Sequence, residues 1–364
     1  MTRSVLAALV LVLATPTLAQ PHDGHLFDQG RPMTNRSPRA DATLDAMKPL
    51  LGLWDVAVTT YPTDSTTHQA RGEAEITFMN RGYAYAERRT VPDYDPAGVD
   101  LHVHSFLVYS PSVGDWALGE GSSYTEHVEI WNGAMEGDGL ALHTAVRRLG
   151  GTRLVEERVT YSMDGADAFT VLLERTQDGE RWGPVEERAY TRHARLPTLV
   201  ATRAGHGVPA PGLPEEARQF DFLLGTWAAA HRINLGGTWV QFPTTTTGVV
   251  ALGGHGILEH SWFDLDPNLP DAATTILRLY NRAERRWESL YLTNRGNTLL
   301  DFGGAWEGDR MVLHQFDARL TDTLSRFVFH SIEPDRYQWF AESSTDRGAT
   351  FATTWTIDVT RAAE

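Results

Sequence analysis

The pentapeptide Leu50-Leu51-Gly52-Leu53-Trp54 has a near copy far along the chain, Leu223-Leu224-Gly225-Thr226-Trp227. Other segments repeat in the same order and at a nearly constant offset. Residues 106–116 match 277–287, and residues 132–143 match 303–314. A long offset of this kind indicates one duplicated domain rather than an array of short repeats.

Both copies carry the pattern of short β-strands. Residues 73–78 and 102–109 alternate in polarity and are rich in β-branched or aromatic side chains. Dipeptides such as Asp178-Gly179 mark turns between the strands. Apolar residues recur at helical spacing over 44–51, just before the first strand. We therefore predict an all-β protein of two tandem antiparallel barrels, each opened by a short helix.

The chain divides into five segments. Residues 1–19 combine a basic residue, an apolar run and a small-residue end, which is typical of a secretory signal peptide. Residues 20–42 form a polar, flexible arm. Barrel 1 is predicted over 43–195, a linker rich in proline and glycine over 196–216, and barrel 2 over 217–362. We expect a periplasmic or extracellular protein whose barrels fold independently and are joined by a flexible tether.

Composition excludes several classes of partner. The formal net charge is -15 and the sequence pI is about 5.4, so the chain lacks the basic surface that nucleic acid or an anionic membrane requires. We expect no membrane insertion once the signal is removed. The chain has no cysteine, so disulfides, thiolate metal sites and cysteine nucleophiles are absent.

The repeated pentapeptide, followed in each copy by a glycine-rich turn and a strand that carries a glutamate, resembles the calycin superfamily. This superfamily includes lipocalins, fatty-acid-binding proteins and nitrobindin-like barrels. Each half is also similar to bacterial lipocalin-like domains of unknown function. The resemblance implies a cup-shaped barrel with an apolar interior that holds a small ligand. It also implies that Trp54 and Trp227 plug the closed end of each barrel.

Matched positions in the two copies supply the candidate ligand-binding residues. Glu87 and Glu259 occupy equivalent places, and strand alternation puts Tyr85 on the same face as Glu87. The alignment also matches Tyr109 with Tyr280. A carboxylate inside an apolar barrel would anchor a ligand and have a raised pKa. The alternatives are a solvated glutamate and an internal salt bridge to an arginine.

His330 is the last candidate. Nitrobindin-like barrels bind haem through one histidine on a late strand, and His330 lies on a late strand of the second copy, with Tyr161 near the same place in the first. Alternation, however, puts Phe327 and Phe329 on the opposite face from His330. We therefore predict no cofactor and no metal, with haem at His330 as an alternative.

Three functions remain open from these residues. The first is binding of a small apolar or amphiphilic molecule, with at most one copy retaining the pocket. The second is an enzyme of the hydratase or cyclase type, such as occurs among paired lipocalin-like domains, with Glu87, Glu259 or a histidine of the lumen as the acid. The third is a structural or interaction module whose barrels are filled by side chains.

Overall fold

The computed structural model describes residues 36–63, 66–144, 147–149, 153–193, 208–263, 272–316, 324–346 and 348–362. The predicted signal peptide, most of the predicted arm and residues 196–207 of the predicted linker lie outside the described residues. The described chain is all-β and forms two closed antiparallel barrels of ten strands each, as the sequence predicted.

Barrel 1 contains the first eleven strands. They are β1 (Gly52–Thr63), β2 (Thr66–Met79), β3 (Ala84–Val91), β4 (Leu101–Ser110), β5 (Asp115–Ser122), β6 (His127–Glu136), β7 (Gly139–His143), β8 (Arg147–Leu149), β9 (Arg153–Met163), β10 (Ala168–Thr176) and β11 (Gly183–Arg192). The pairings of β9 with β10, β10 with β11 and β11 with β1 close the barrel. Strands β7 and β8 both pair with β9, so together they take the place of one barrel strand.

Barrel 2 repeats this order with ten strands. They are β12 (Gly225–Leu235), β13 (Thr238–Ala251), β14 (Gly256–Phe263), β15 (Ala272–Asn281), β16 (Arg286–Thr293), β17 (Thr298–Glu307), β18 (Arg310–Gln315), β19 (Leu324–Glu333), β20 (Arg336–Ser344) and β21 (Ala352–Arg361). Each strand pairs with the next, and β21 pairs with β12 to close the barrel.

The opening helices are 3₁₀ helices. The first spans Ala42–Leu50, and Asp41 caps it by accepting a hydrogen bond from the Thr43 backbone N–H. Its buried residues Leu44, Met47 and Leu50 recur every three positions, which is the period of a 3₁₀ helix. The equivalent segment of barrel 2 contains two shorter 3₁₀ turns, Glu215–Arg218 and Asp221–Leu223, and single turns occur at Asn80–Gly82 and Leu252–Gly254. None of the helices in the described ranges has the length and apolar character needed to cross a membrane.

An arginine covers the repeated tryptophan at the closed end of each barrel. The Arg192 guanidinium lies 4.3 Å from the centre of the Trp54 ring, and Arg361 lies 3.9 Å from that of Trp227. Arg192 donates to the carbonyl of Leu51 (3.0 Å) and Arg361 to that of Leu224 (2.7 Å). These arginines were not among the residues predicted to be important, although the last strand of each barrel ends in Thr-Arg.

The glycine of the repeated pentapeptide makes room for this arrangement. Gly52 and Gly225 have φ values of 140° and 101°, which residues other than glycine rarely adopt. A Cβ atom at either position would come within 2.5 Å and 2.7 Å, respectively, of Nη1 of the covering arginine. Leu-Leu-Gly-x-Trp therefore encodes a glycine bend, a buried tryptophan and space for a cation.

The two barrels pack against each other through an apolar cluster, which is at odds with the expected flexible tether between independent cups. The cluster contains residues from both barrels: Met79, Ala84, Ala86, Phe106, Val108, Ala117, Val128, Ala251, Leu252, Leu258, Leu277, Leu279, Leu290, Leu292 and Leu299. Every residue of β15 is buried, because one face of this strand lines barrel 2 and the other contacts barrel 1. Period-2 alternation along the sequence identifies the two faces of a strand. It cannot show that the outer face is also covered, here by the other barrel.

Polar contacts surround this apolar interface. The Glu288 carboxylate is fully buried, accepts a hydrogen bond from the Val128 backbone N–H (3.0 Å) and lies 2.7 Å from Nδ1 of His127. The Thr275 hydroxyl of barrel 2 donates to the side-chain oxygen of Asn80 in barrel 1 (2.7 Å). These groups satisfy buried polar atoms across the interface and so fix one barrel against the other.

Candidate functional site

Barrel 2 contains a cavity of about 40 Å³ in its lumen. A cavity needs roughly 10–15 Å³ per water molecule, so it has room for two or three waters in this conformation. Its lining combines a charged pair, a set of hydroxyl groups and several aromatic rings. These three parts come from different strands and differ in chemistry.

The charged pair is Glu259 with Arg278. Nη1 of Arg278 donates to the Glu259 carboxylate at 2.5 Å, and the arginine is only 1 % exposed. Its guanidinium also lies 5.4 Å from the Phe220 ring and 5.5 Å from the Phe329 ring. Glu259 was a candidate from the sequence, and its environment is the internal salt bridge that the sequence left open. Arg278 was missed because the matched residue in barrel 1 is Leu107.

Hydroxyl and aromatic groups line the rest of the cavity. The hydroxyl groups of Thr246 and Ser261 share a hydrogen bond of 2.8 Å. The rings of Trp339 and Trp355 meet edge to face at 5.5 Å, and Phe263 lies 6.2 Å from Trp355. The lumen is therefore amphipathic, with polar groups on β13 to β15 and aromatic surface mainly on β20 and β21.

His231 lies among aromatic rings towards the open end of the cavity. It stacks on Phe242 at 4.8 Å, and Trp355 Nε1–H donates to its Nδ1 at 3.1 Å. Because Nδ1 accepts, Nε2 carries the proton and donates to the Thr244 hydroxyl at 2.6 Å. Burial lowers the pKa of His231 to about 3, so the ring is neutral at neutral pH.

The lumen of barrel 1 holds a network of ion pairs instead. Arg89 lies 2.9 Å from Glu87 and 3.4 Å from Glu120. Arg188 lies 3.4 Å from the same Glu120 carboxylate and also pairs with Glu186. Both arginines and the glutamates Glu87 and Glu186 are buried. Side chains therefore fill the part of the barrel 1 lumen in which a ligand was expected.

The predicted raised pKa of Glu87 is wrong. Burial raises the pKa of this carboxyl, but the nearby Arg89 and Arg188 lower it, as does a hydrogen bond from the Tyr190 hydroxyl at 2.7 Å, and the net shift is downward. A general acid must be protonated near the working pH. Glu87 is ionised at neutral pH and does not meet that requirement.

The three candidate tyrosines lie near the closed ends of the barrels rather than in the barrel 2 cavity. The Tyr85 hydroxyl donates to the Leu44 carbonyl of the opening helix at 2.5 Å. Tyr109 packs on Trp116 at 5.5 Å, and its counterpart Tyr280 packs on Trp287 at 5.8 Å. The matched tyrosines therefore repeat because both barrels use them to pack their closed ends.

His330 lies outside the barrel 2 lumen. It is on the opposite face of β19 from Phe329, which lines the cavity, and its ring contacts Phe340 at 4.5 Å. Tyr161, expected near the same place in barrel 1, is offset from the position of His330 by one residue. Tyr161 pairs with Leu140 and Phe329 with the equivalent Met311, so Phe329 is the counterpart of Tyr161. The face of β19 that could supply an axial ligand to a lumen group here presents phenylalanine.

A second, larger groove of about 250 Å³ lies along β7 and β9 at the closed end of barrel 1. Its charged side chains are both exposed: Glu136 ends β6, and Asp138 lies in the turn that follows. The groove lacks the convergent buried polar groups that mark a specific site, and the smaller cavity in barrel 2 has them.

No family model matches the sequence, and no curated protein matches it. A protein of unknown function from the DUF3598 family of Nostoc punctiforme PCC 73102 is 10% identical with a TM-score of 0.25, and the match covers 88% of this chain and 100% of that one. The S-type phycobiliprotein lyase CPES from Guillardia theta is 12% identical with a TM-score of 0.31, over 43% of this chain and 95% of that one. Rv2717c from M. tuberculosis is 15% identical with a TM-score of 0.31, over 42% and 99%. The fold assignment rests on the strand pairings described above.

Proposed function

We propose that this protein binds a small amphiphilic molecule in the lumen of barrel 2, and that barrel 1 is a packed scaffold. The observation that carries the proposal is the amphipathic cavity, in which the buried Glu259–Arg278 pair faces the same space as Trp339 and Trp355. Binding pockets commonly combine aromatic walls with a few convergent polar groups.

Ligand entry requires the aromatic side chains near the open end to move. Pockets for drug-sized ligands measure about 300–1,000 Å³, far more than the 40 Å³ present here. His231, Phe263 and Trp355 are in mutual contact above the charged pair and are the groups whose rotation would enlarge the space. The proposal therefore includes a closed, ligand-free state that opens on binding.

Barrel 1 is assigned the scaffold role because its interior is already filled by side chains that are joined in ion pairs. A ligand there would have to separate Arg89 from Glu87 or Arg188 from Glu120. Breaking one buried pair by removing a partner costs about 3–5 kcal/mol. This network favours the third function, a structural module filled by side chains, for barrel 1 but not for barrel 2.

We also propose a periplasmic or extracellular location, which rests on the pattern of residues 1–19. Mass spectrometry of the mature protein is expected to show an N-terminus at Gln20. Recovery of the full-length chain from the cytoplasmic fraction would contradict this location.

The binding proposal is tested with N-phenyl-1-naphthylamine, an uncharged apolar probe whose fluorescence rises in apolar surroundings. We expect saturable binding with one site per chain. Ala229→Leu adds three carbons at the wall of the cavity and is expected to weaken binding at least tenfold. Ala230→Leu makes the same change at the next residue, which faces solvent, and is the matched control.

Three outcomes contradict the proposal. The first is the absence of a saturable signal from the wild-type protein. The second is an equal loss of probe binding in both leucine variants while circular dichroism shows both to be folded. Equal retention of binding in Ala229→Leu and Ala230→Leu would place the probe outside the barrel 2 lumen.

A further inference from the structure

The chemistry of the Glu259–Arg278 pair restricts the polar group of the ligand. Resting on the proposed function, we propose that barrel 2 selects an uncharged amphiphile whose carbonyl or hydroxyl oxygen accepts a hydrogen bond from Arg278. Its apolar body would lie against Trp339 and Trp355.

An unused hydrogen-bond donor points to the oxygen. Nη1 of Arg278 donates to Glu259, but its Nε–H is buried and has no acceptor among the described residues. A buried donor without a partner costs about 1–3 kcal/mol. Because Arg278 lines the cavity, a ligand oxygen placed there would remove this cost.

Charge balance indicates that this oxygen is uncharged. Glu259 already neutralises Arg278 through a direct hydrogen bond. The other titratable groups of the lining are neutral at neutral pH, because burial lowers the pKa of His231 and raises the pKa of the Tyr291 and Tyr337 phenols. A ligand carboxylate would bring a negative charge into a lining whose positive charge is already paired, and burying an unpaired charge is costly.

The equivalent strands of barrel 1 surround their buried arginines differently, because two arginines there share three carboxylates. There, Glu120 contacts both Arg89 and Arg188, so each buried arginine has carboxylates around it. In barrel 2, one arginine, Arg278, pairs with one carboxylate, Glu259, so the two charges cancel. The group left without a partner is the Nε–H donor of Arg278. This leaves a place for a neutral acceptor and none for a second anion.

The test uses four probes that each contain eight carbon atoms: 2-octanone, 1-octanol, octanoate and octylamine. Each is titrated into the wild-type protein at pH 7.5 while tryptophan fluorescence is followed, since Trp339 and Trp355 line the cavity. We expect the ketone and the alcohol to bind at least about tenfold more tightly than octanoate or octylamine.

A charge variant sharpens the result. Glu259→Gln keeps the size of the side chain but leaves the Arg278 charge unpaired, so octanoate is expected to become the preferred probe. Glu307→Gln removes an exposed glutamate that lies on the outer surface and pairs with His314, and it is expected to keep the wild-type order. The wild-type order decides the inference even where Glu259→Gln does not fold.

The outcomes separate this inference from the proposed function. Tightest binding of octanoate or octylamine by the wild-type protein would overturn the selection for a neutral oxygen and leave ligand binding in barrel 2 intact. The absence of a saturable response to all four probes and to N-phenyl-1-naphthylamine would overturn both.

Discussion

Barrels 1 and 2 share their closed ends and differ in their lumens. Each closed end has the same glycine bend, buried tryptophan and covering arginine. The strand pairings match the lumen positions one to one, and many of them have changed in kind, among them Arg89 to Ser261, Leu107 to Arg278, Glu120 to Tyr291, Glu186 to Trp355, Arg188 to Ile357, and Tyr190 to Val359. The two copies therefore kept the residues that close the barrel and diverged in the residues that fill its lumen.

The difference follows from how each lumen satisfies its charges. In barrel 1, two arginines and three glutamates form one connected network of ion pairs, and the whole set must be kept together. In barrel 2, the charged side chains that line the cavity are Glu259 and Arg278, and aromatic rings take up most of the remaining volume. A lumen with fewer obligatory partners can open without leaving several charges unpaired.

The largest expected effect concerns the charge network. Arg188→Met leaves Glu120 and Glu186 without one of their buried cations and is expected to lower the free energy of unfolding by about 3–5 kcal/mol. The matched change in barrel 2, Ile357→Met, conserves volume and apolar character and is expected to cost less than about 1.5 kcal/mol. Urea unfolding followed by circular dichroism measures both.

The double variant Glu186→Gln/Arg188→Met is a further control for the same network. Removal of one buried negative charge is expected to recover part of the stability lost in Arg188→Met, because the remaining carboxylates repel less. Equal stability losses in Arg188→Met and Ile357→Met would contradict the proposed division between a charged and an uncharged lumen.

An effect of intermediate size concerns the stability of the protein at acidic pH. His231 has a pKa of about 3 when folded, because of burial, and about 6.5 when unfolded. Between these values the unfolded chain binds one more proton, so stability falls as the pH falls from 6.5 towards 3. Lowering the pH to 5 is expected to cost about 2 kcal/mol through this residue.

His231→Val introduces the residue of barrel 1, where Val58 occupies the matched position. The variant is expected to be less stable at pH 7.5, since the hydrogen bonds to Thr244 and Trp355 are lost. Its further loss between pH 7.5 and pH 5 is expected to be smaller than that of the wild-type protein by about 2 kcal/mol. Identical pH dependence of the urea midpoints would show that His231 is not the acid-sensitive group.

The smallest effect tests the shared closed ends. Arg192→Lys and Arg361→Lys keep the positive charge but lose the planar group that stacks on tryptophan and donates to the opening helix. Because both arginines are partly exposed, we expect each change to cost only about 1 kcal/mol. Thermal unfolding of the two variants is expected to give similar losses. A marked difference between them would mean that the closed ends have diverged as well.

Much of the fold could be predicted from the sequence for physical reasons. Period-2 alternation and turn residues are local signals, so they identify strands and their two faces before any partner is known. The repeated pentapeptide marks both closed ends because its glycine is needed for backbone geometry. The same alternation put Tyr85 and Glu87 on one face of a strand but left open whether that face points inward, and the structure shows Glu87 and Glu259 buried.

The candidate site was harder to predict, because its members are distant in sequence. Glu259 was found by matching the copies, but Arg278 and His231 have no charged or imidazole counterpart in barrel 1. The low pKa of Glu87 depends on Arg188, which reaches it only when β11 closes the barrel. Trp355 lies on the last strand of barrel 2, and the sequence pattern does not show that it faces a cavity.

The sequence by itself determined a duplicated all-β chain, the strand faces and the two closed ends, because these depend on backbone geometry and on neighbours along the chain. Only the tertiary structure decided which lumen is filled by ion pairs, which keeps a cavity, and that the outer faces of the barrels share one apolar cluster. The physical reason is that charge pairing and close packing depend on side chains that barrel closure brings together from strands far apart in the sequence.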